Sequence, residues 1–96
     1  MIVSFANKLA EDLFEDRNSK EVRSFPNELH RIGRRKILYL HDAAELSDLK
    51  VPPGNKLEAL KGDLVGYHSI RINIQWRVVF RWNNGNAEEV SVVDYH

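Results

Sequence analysis

Residues 66–93 read GYHSIRINIQWRVVFRWNNGNAEEVSVV, and the two-residue period in this stretch decides the fold. Ile70 and Ile72 alternate with Ser69, Arg71 and Asn73, and Val78 and Phe80 alternate with Arg77, Val79 and Arg81. Successive side chains of a strand point to opposite faces, so each run presents an apolar face and a second face rich in arginine. Asn83-Asn84-Gly85 supplies the residues that a tight hairpin turn requires. A last strand over residues 88–93 then brings Val90 and Val92 to the same core, and the three strands form an antiparallel meander. A turn centred on Ile74 sets Arg71 directly opposite Arg77.

The residues before this stretch change period. Ile2, Val3 and Phe5 suggest a short first strand, and residues 7–16 a helix whose apolar face is Leu9, Leu13 and Phe14. Arg17-Asn18-Ser19-Lys20 breaks it. Ser24 or Asn27 can cap a second helix with Pro26 in its first turn, and Leu29, Ile32, Ile37, Leu40 and Ala44 follow a helical period. On that wheel Arg31, Arg34 and Arg35 lie opposite the apolar stripe, while Lys36 falls within it and is expected to snorkel along the helix edge. Residues 46–50 read as a last short helical turn, and Val51-Pro52-Pro53-Gly54-Asn55 as a rigid loop. The expected architecture is α+β: two N-terminal helices packed on one face of a small antiparallel sheet, whose other face is free.

Composition fits one domain over residues 1–96. The chain is 43% hydrophobic, has no repeat or low-complexity segment, and contains no cysteine, which excludes disulfides and thiolate metal sites and is consistent with a reducing cytoplasm. Its start lacks the pattern of a signal peptide, and no segment approaches the ~18 apolar residues of a membrane span. The formal net charge is zero, which argues against a general nucleic-acid coat protein. Charge is nevertheless polarised along the chain: Glu11, Asp12, Glu15 and Asp16 precede Arg17, Lys20, Arg23, Arg31, Arg34, Arg35 and Lys36, with only Glu21 and Glu28 among those cations.

Three groups of residues can carry chemistry. On the free sheet face, Arg71, Arg77 and Arg81 point away from the apolar side. Like charges directly across strands destabilise a sheet unless an anion or an acid lies between them, so Arg71 and Arg77 indicate a phosphate site or, read plainly, a solvated face paired with local acids. Glu58 and Lys61 follow the rigid loop; by themselves they equally describe a surface ion pair. Asp94-Tyr95-His96 closes the last strand with three groups suited to proton transfer or hydrogen bonding. Asp94 and the terminal carboxylate favour the imidazolium of His96, which suits a proton donor near neutral pH, whereas a frayed tail is the plain alternative. His30, His41 and His68 have no partners at metal-ligand spacing, so neither a metal nor another cofactor is indicated. Trp76 and Trp82 read as packing residues, although either, like Tyr67 and Tyr95, can stack on an unpaired base.

Lys56-Leu57-x-x-Leu60-Lys61-Gly62-Asp63, Gly66-Tyr67-x-Ser69-Ile70, Trp76-Arg77 and Asp94-Tyr95-His96 together resemble the HigB toxins of the RelE/ParE superfamily over nearly the whole chain. The segment at residues 51–55 followed by Glu58 looks like the GraT branch, in which the position of Glu58 can be histidine. The resemblance implies a RelE-like fold and a metal-independent endoribonuclease that cuts messenger RNA on the ribosome, the 2′-hydroxyl attacking the adjacent phosphate. In that reading Glu58 is the base, Lys61 and Arg77 neutralise phosphate charge, Arg71 and Arg81 help to bind RNA, His96 is the acid, and Asp94 and Tyr95 orient it or the RNA. The implied partners are a HigA-type helix-turn-helix antitoxin and the ribosome with its message, DNA being reached only through the antitoxin; Arg31, Arg34 and Arg35 suit either an antitoxin or ribosomal RNA. The same fold also admits a gyrase inhibitor of the ParE kind or a weakly toxic regulatory partner of an antitoxin.

Overall fold

The computed structural model describes residues 1–95. Its centre is an antiparallel sheet in the order β1-β2-β3-β4, with β1 at Glu58–Ala59, β2 at Tyr67–Arg71, β3 at Trp76–Asn83 and β4 at Asn86–Asp94. The helices are α1 at Lys8–Phe14, α2 at Lys20–Ser24 and α3 at His30–Asp42. The α+β meander anticipated from the sequence is therefore present, extended by a two-residue strand and a short helix that its periodicity did not reveal.

The β2–β3 register pairs Arg71 with Arg77 and Ile70 with Val78. The reversal between the strands is locked by Asn73, whose Oδ1 accepts from the backbone N–H groups of Gln75 (2.9 Å) and Trp76 (2.7 Å) while Ile74 projects into solvent. Ile70, Val78, Phe80, Val90 and Val92 then form one apolar face, against which Ala10 and Leu13 of α1 and Ile37 and Leu40 of α3 pack. Each large side chain fully buried there contributes about 1.5–3 kcal/mol relative to exposure. Trp76 meets Phe25 edge-on at 4.9 Å and Trp82 meets Phe80 at 6.4 Å, so both indoles serve packing.

Between Val79 and Arg81 the pairing with β4 slips, because Glu89 enters β4 with φ of 52° as an additional residue. The slip explains why Ala87, Val90 and Val92 are all buried although strict alternation cannot face all of them inward. The anticipated first strand is instead a pair of isolated parallel bridges, Ile2 to Ala87 and Phe5 to Val90, along the outer edge of β4. Ser4 completes this seam: its hydroxyl accepts from the N–H of Glu89 at 2.8 Å, a group that the bulge has removed from the regular ladder.

Asn7 joins this seam to the helices. Its Oδ1 accepts from the N–H of Ala10, capping α1, and from the N–H of Val92, while its Nδ2 donates to the carbonyl of Val92 at 2.9 Å. Ser19, expected only to lie in a break, caps α2 through Val22. Neither Ser24 nor Asn27 caps the long helix; a 3₁₀ turn at Asn27–Leu29 leads directly into α3, and Ala44 lies beyond its end. Residues 46–50 wind as 3₁₀ helix rather than α-helix, begun by reciprocal bonds between Glu45 and Asp48.

Lys36 departs from the snorkelling arrangement. Its side chain is buried, with Nζ donating to Oδ1 of the fully buried Asn55 at 2.6 Å and lying 5.5 Å from the centre of the Tyr39 ring. Burial, assisted by neighbouring Arg35, holds its pKa below the ordinary lysine value. The loop that carries Asn55 meets α3 at Lys36, midway along the helix.

Candidate active site

The sheet face opposite the helices is less open than its arginine content suggests. Ser69, Arg77 and Val79 are buried there. The guanidinium of Arg77 is held on two sides: Nε donates to the Ser69 hydroxyl at 2.7 Å, and one terminal nitrogen donates to the Lys56 carbonyl at 2.6 Å. Lys56 presents that carbonyl from a left-handed conformation (φ 48°, ψ 54°) just after the 3₁₀ turn at Pro53–Asn55. Burial lowers the pKa of Arg77 below the ordinary arginine value, and Arg71 acts in the same direction against the opposing pull of Glu58.

β1 exists because Glu58 pairs with Ser69 and Ala59 with His68 along the edge of β2. This short strand carries Glu58 to the same region as Arg77, and the chain then continues through Leu60 to Lys61. Glu58, Ala59, Leu60, Lys61 and Tyr95 line a cleft of about 490 Å³. Tyr95 is partly exposed, its N–H donates to the Gln75 carbonyl at 2.6 Å, and the Arg77 guanidinium lies 5.6 Å from the centre of its ring. A carboxylate, an ammonium group and a phenol thus border a cleft beside a guanidinium in fixed orientation.

Arg71 stands opposite Arg77, and its Nε is shielded from solvent without an acceptor among the described residues. Arg71 therefore brings a second positive charge beside Arg77, with its Nε–H enclosed by protein and unsatisfied. The ion pairs of the described residues join Lys8 to Asp12 and Arg17 to Glu11 and Asp12; none joins Glu58 to Lys61, so the surface-pair reading of these two does not describe their geometry.

Arg81 is not gathered with these groups. It is exposed, lies 5.9 Å from the centre of the Tyr67 ring, and sits four residues along β3 from Arg77, about 13 Å at strand rise. Asp94 pairs in register with Trp76 and accepts from the Gln75 side chain at 2.9 Å; it is not among the residues lining the cleft. His96 lies outside the described residues. The histidines within them meet structural partners: His30 bonds the Phe25 carbonyl, His41 accepts from the Ile2 N–H, and His68 stacks on Phe80. Arg31, Arg34, Arg35 and Leu38 line a separate cleft of about 270 Å³ on α3.

Of the residues nominated from the sequence, the structure brings Glu58, Lys61, Arg77 and Tyr95 together; Ser69 and Asn55, which hold Arg77 and the loop beside it, are not among those nominated as site residues. Ser69 stands in the Gly66-Tyr67-x-Ser69-Ile70 motif and Asn55 closes the rigid loop, but the sequence gives neither a role in orienting Arg77. No helix among the described residues is long and apolar enough to cross a membrane.

Residues 3–96 match the family described as the RelE-like toxin of type II toxin-antitoxin system HigB. A Vibrio cholerae protein named Toxin HigB-1 is 40% identical over 87 residues, covering 91% of this chain and 90% of its own. A Proteus vulgaris protein named Endoribonuclease HigB is 35% identical over 96 residues, covering both chains fully. The fold is similar to that of the YoeB-YefM complex from Staphylococcus aureus, with a TM-score of 0.54 at 20% identity over 100% of this chain and 98% of the other.

Proposed function

We propose, from the premise that this chain belongs to the HigB family of RelE-like toxins in type II toxin–antitoxin systems, that it is an endoribonuclease which cuts messenger RNA on the ribosome. The observation that carries this reading is the cleft bordered by Glu58, Lys61 and Tyr95 beside the buried, oriented Arg77. Every step of RNA cleavage through a 2′-oxygen can be assigned to a protein group of the kind present.

Glu58 takes the proton of the ribose 2′-hydroxyl as that oxygen attacks the adjacent phosphorus. Charge builds on the non-bridging oxygens, where Arg77 and Lys61 neutralise it, with Arg71, directly across from Arg77, adding a further positive charge. The bond from phosphorus to the 5′-oxygen breaks, His96 supplies the proton to that oxygen, and the products are a 2′,3′-cyclic phosphate and a 5′-hydroxyl. Tyr95 and Asp94 orient His96 or the RNA. Arg81, exposed and farther along β3, binds the RNA backbone outside the reacting nucleotide.

A HigA-type helix-turn-helix antitoxin is the proposed partner, and the cytoplasm, where message and ribosome meet, is the proposed place of action. The test is cleavage of a defined message in a reconstituted translation system, comparing ribosome-bound with free RNA and the native protein with His96→Ala. Cuts that require the ribosome and disappear in the variant support the assignment; intact message in the presence of toxic protein overturns it.

A further inference from the structure

Lys36 is a buried cation on α3, away from the cleft. An ammonium withdrawn from water destabilises a fold unless it is paired and hydrogen-bonded, yet among the described residues no carboxylate forms an ion pair with it. Its partners among the described residues are the Asn55 carbonyl oxygen at 2.6 Å and the face of Tyr39. Asn55 is itself wholly inaccessible, and its Nδ2 donates to the carbonyls of Leu49 (3.1 Å) and Val51 (3.3 Å). One amide therefore ties α3 to both ends of the loop at residues 49–55.

The next residue is where that loop meets the site. Lys56 adopts its left-handed conformation immediately after Asn55, and its carbonyl is the acceptor for Arg77 at 2.6 Å. The Ser69 hydroxyl fixes the same guanidinium from β2 through Nε at 2.7 Å. We infer that Lys36, Asn55 and Ser69 are positioning residues for Arg77: Ser69 fixes its Nε side directly, and Lys36 acts through Asn55 and the Lys56 carbonyl to fix its terminal nitrogen. A guanidinium held at two of its donors has its remaining donors directed before substrate arrives, and about 1 Å of misplacement at a reacting group can lower a rate on the order of 100-fold.

This inference rests on the nuclease reading, and a double-mutant cycle tests it. Lys36→Met is made in the native background and in Arg77→Ala, and ribosome-bound message cleavage is followed with samples that are folded at the assay temperature. The expected result is a kcat lowered about 10-fold or more by Lys36→Met in the native background with little change in KM, and no further loss in the Arg77→Ala background. Equal losses in both backgrounds describe general weakening of the fold and overturn the inference.

Ser69→Ala provides a second variant that removes a single oxygen, with the same pattern expected. The Arg77 Nε–H resonance of ¹⁵N-labelled protein gives a readout independent of cleavage. It should exchange slowly with water in the native protein and faster in Lys36→Met and Ser69→Ala. If native protein leaves message intact, the nuclease reading fails, while unchanged exchange in both variants overturns the positioning role separately.

Discussion

Arg71 and Arg77 face each other across neighbouring antiparallel strands, yet among the described residues acceptors are supplied for Arg77 and none for Nε of Arg71. The asymmetry separates their uses. Arg77 is locked in place, whereas Arg71 adds a like charge beside it and an unused donor.

Arg71→Gln should therefore uncouple stability from activity. Removing a like charge from a directly opposed pair is expected to stabilise the fold by about 0.2–1 kcal/mol, while message cleavage weakens through a higher KM as one phosphate contact is lost. Urea denaturation and cleavage kinetics check the two halves. A less stable protein with an unchanged KM contradicts this account of Arg71.

Tyr95 offers its ring to the Arg77 guanidinium and its phenol to the cleft. Tyr95→Phe keeps the ring, and Tyr95→Ala removes it. If stacking is the main contribution, the phenylalanine variant keeps most activity and the alanine variant loses about 5-fold, corresponding to a cation–π contact of ~1 kcal/mol. Equal losses in both would assign the role to the hydroxyl.

Asp12 is shielded beneath Lys8, which donates to it at 2.8 Å, with Ser19 and Arg17 also bonded to it; together they bring its pKa down to about 2 from 3.8. A carboxylate depressed on folding stabilises the native state above its unfolded pKa, and that contribution is lost as pH falls through the folded value. The stability difference between the native protein and Asp12→Asn should be constant above about pH 5, shrink below pH 4 and approach its minimum near pH 2. Denaturation curves at a series of pH values measure it; a difference that does not shrink with acid contradicts the assignment.

Asn7 caps α1 and clasps β4 with the same amide. Asn7→Ala should destabilise the protein by about 1–2 kcal/mol, at the upper end for a cap. Asn7→Asp, which retains the cap acceptor but cannot donate to the Val92 carbonyl, should fall between. Thermal or chemical unfolding distinguishes the order.

Most of the sheet was legible because its signal is local. Alternation in residues 70–81 placed the core face and, with a turn at Ile74, predicted the observed opposition of Arg71 and Arg77. What escaped has no local signature. β1 is two exposed residues and acquires strand character only from the β2 edge it joins. The bulge at Glu89 depends on Ser4, 85 residues away. Of the site, Glu58, Lys61, Arg77 and Tyr95 could be nominated by residue type and family resemblance, but the burial of Arg77 could not: it follows from a backbone carbonyl delivered by the loop. Lys36 was misread for the same reason, since helical periodicity reports which face is inward and not what lies against it.

The seam between residues 1–6 and β4 sets an order of events during synthesis. Ile2, Ser4 and Phe5 are synthesised well before their bonding partners at Ala87, Glu89 and Val90. Until then the opening segment has no edge to join, α1 lacks the clasp of Asn7 on Val92, and Tyr95 has not reached Arg77. A chain of this topology closes its earliest segment only with its last strand, so the edge of β4 and the start of α1 are secured together in one late step.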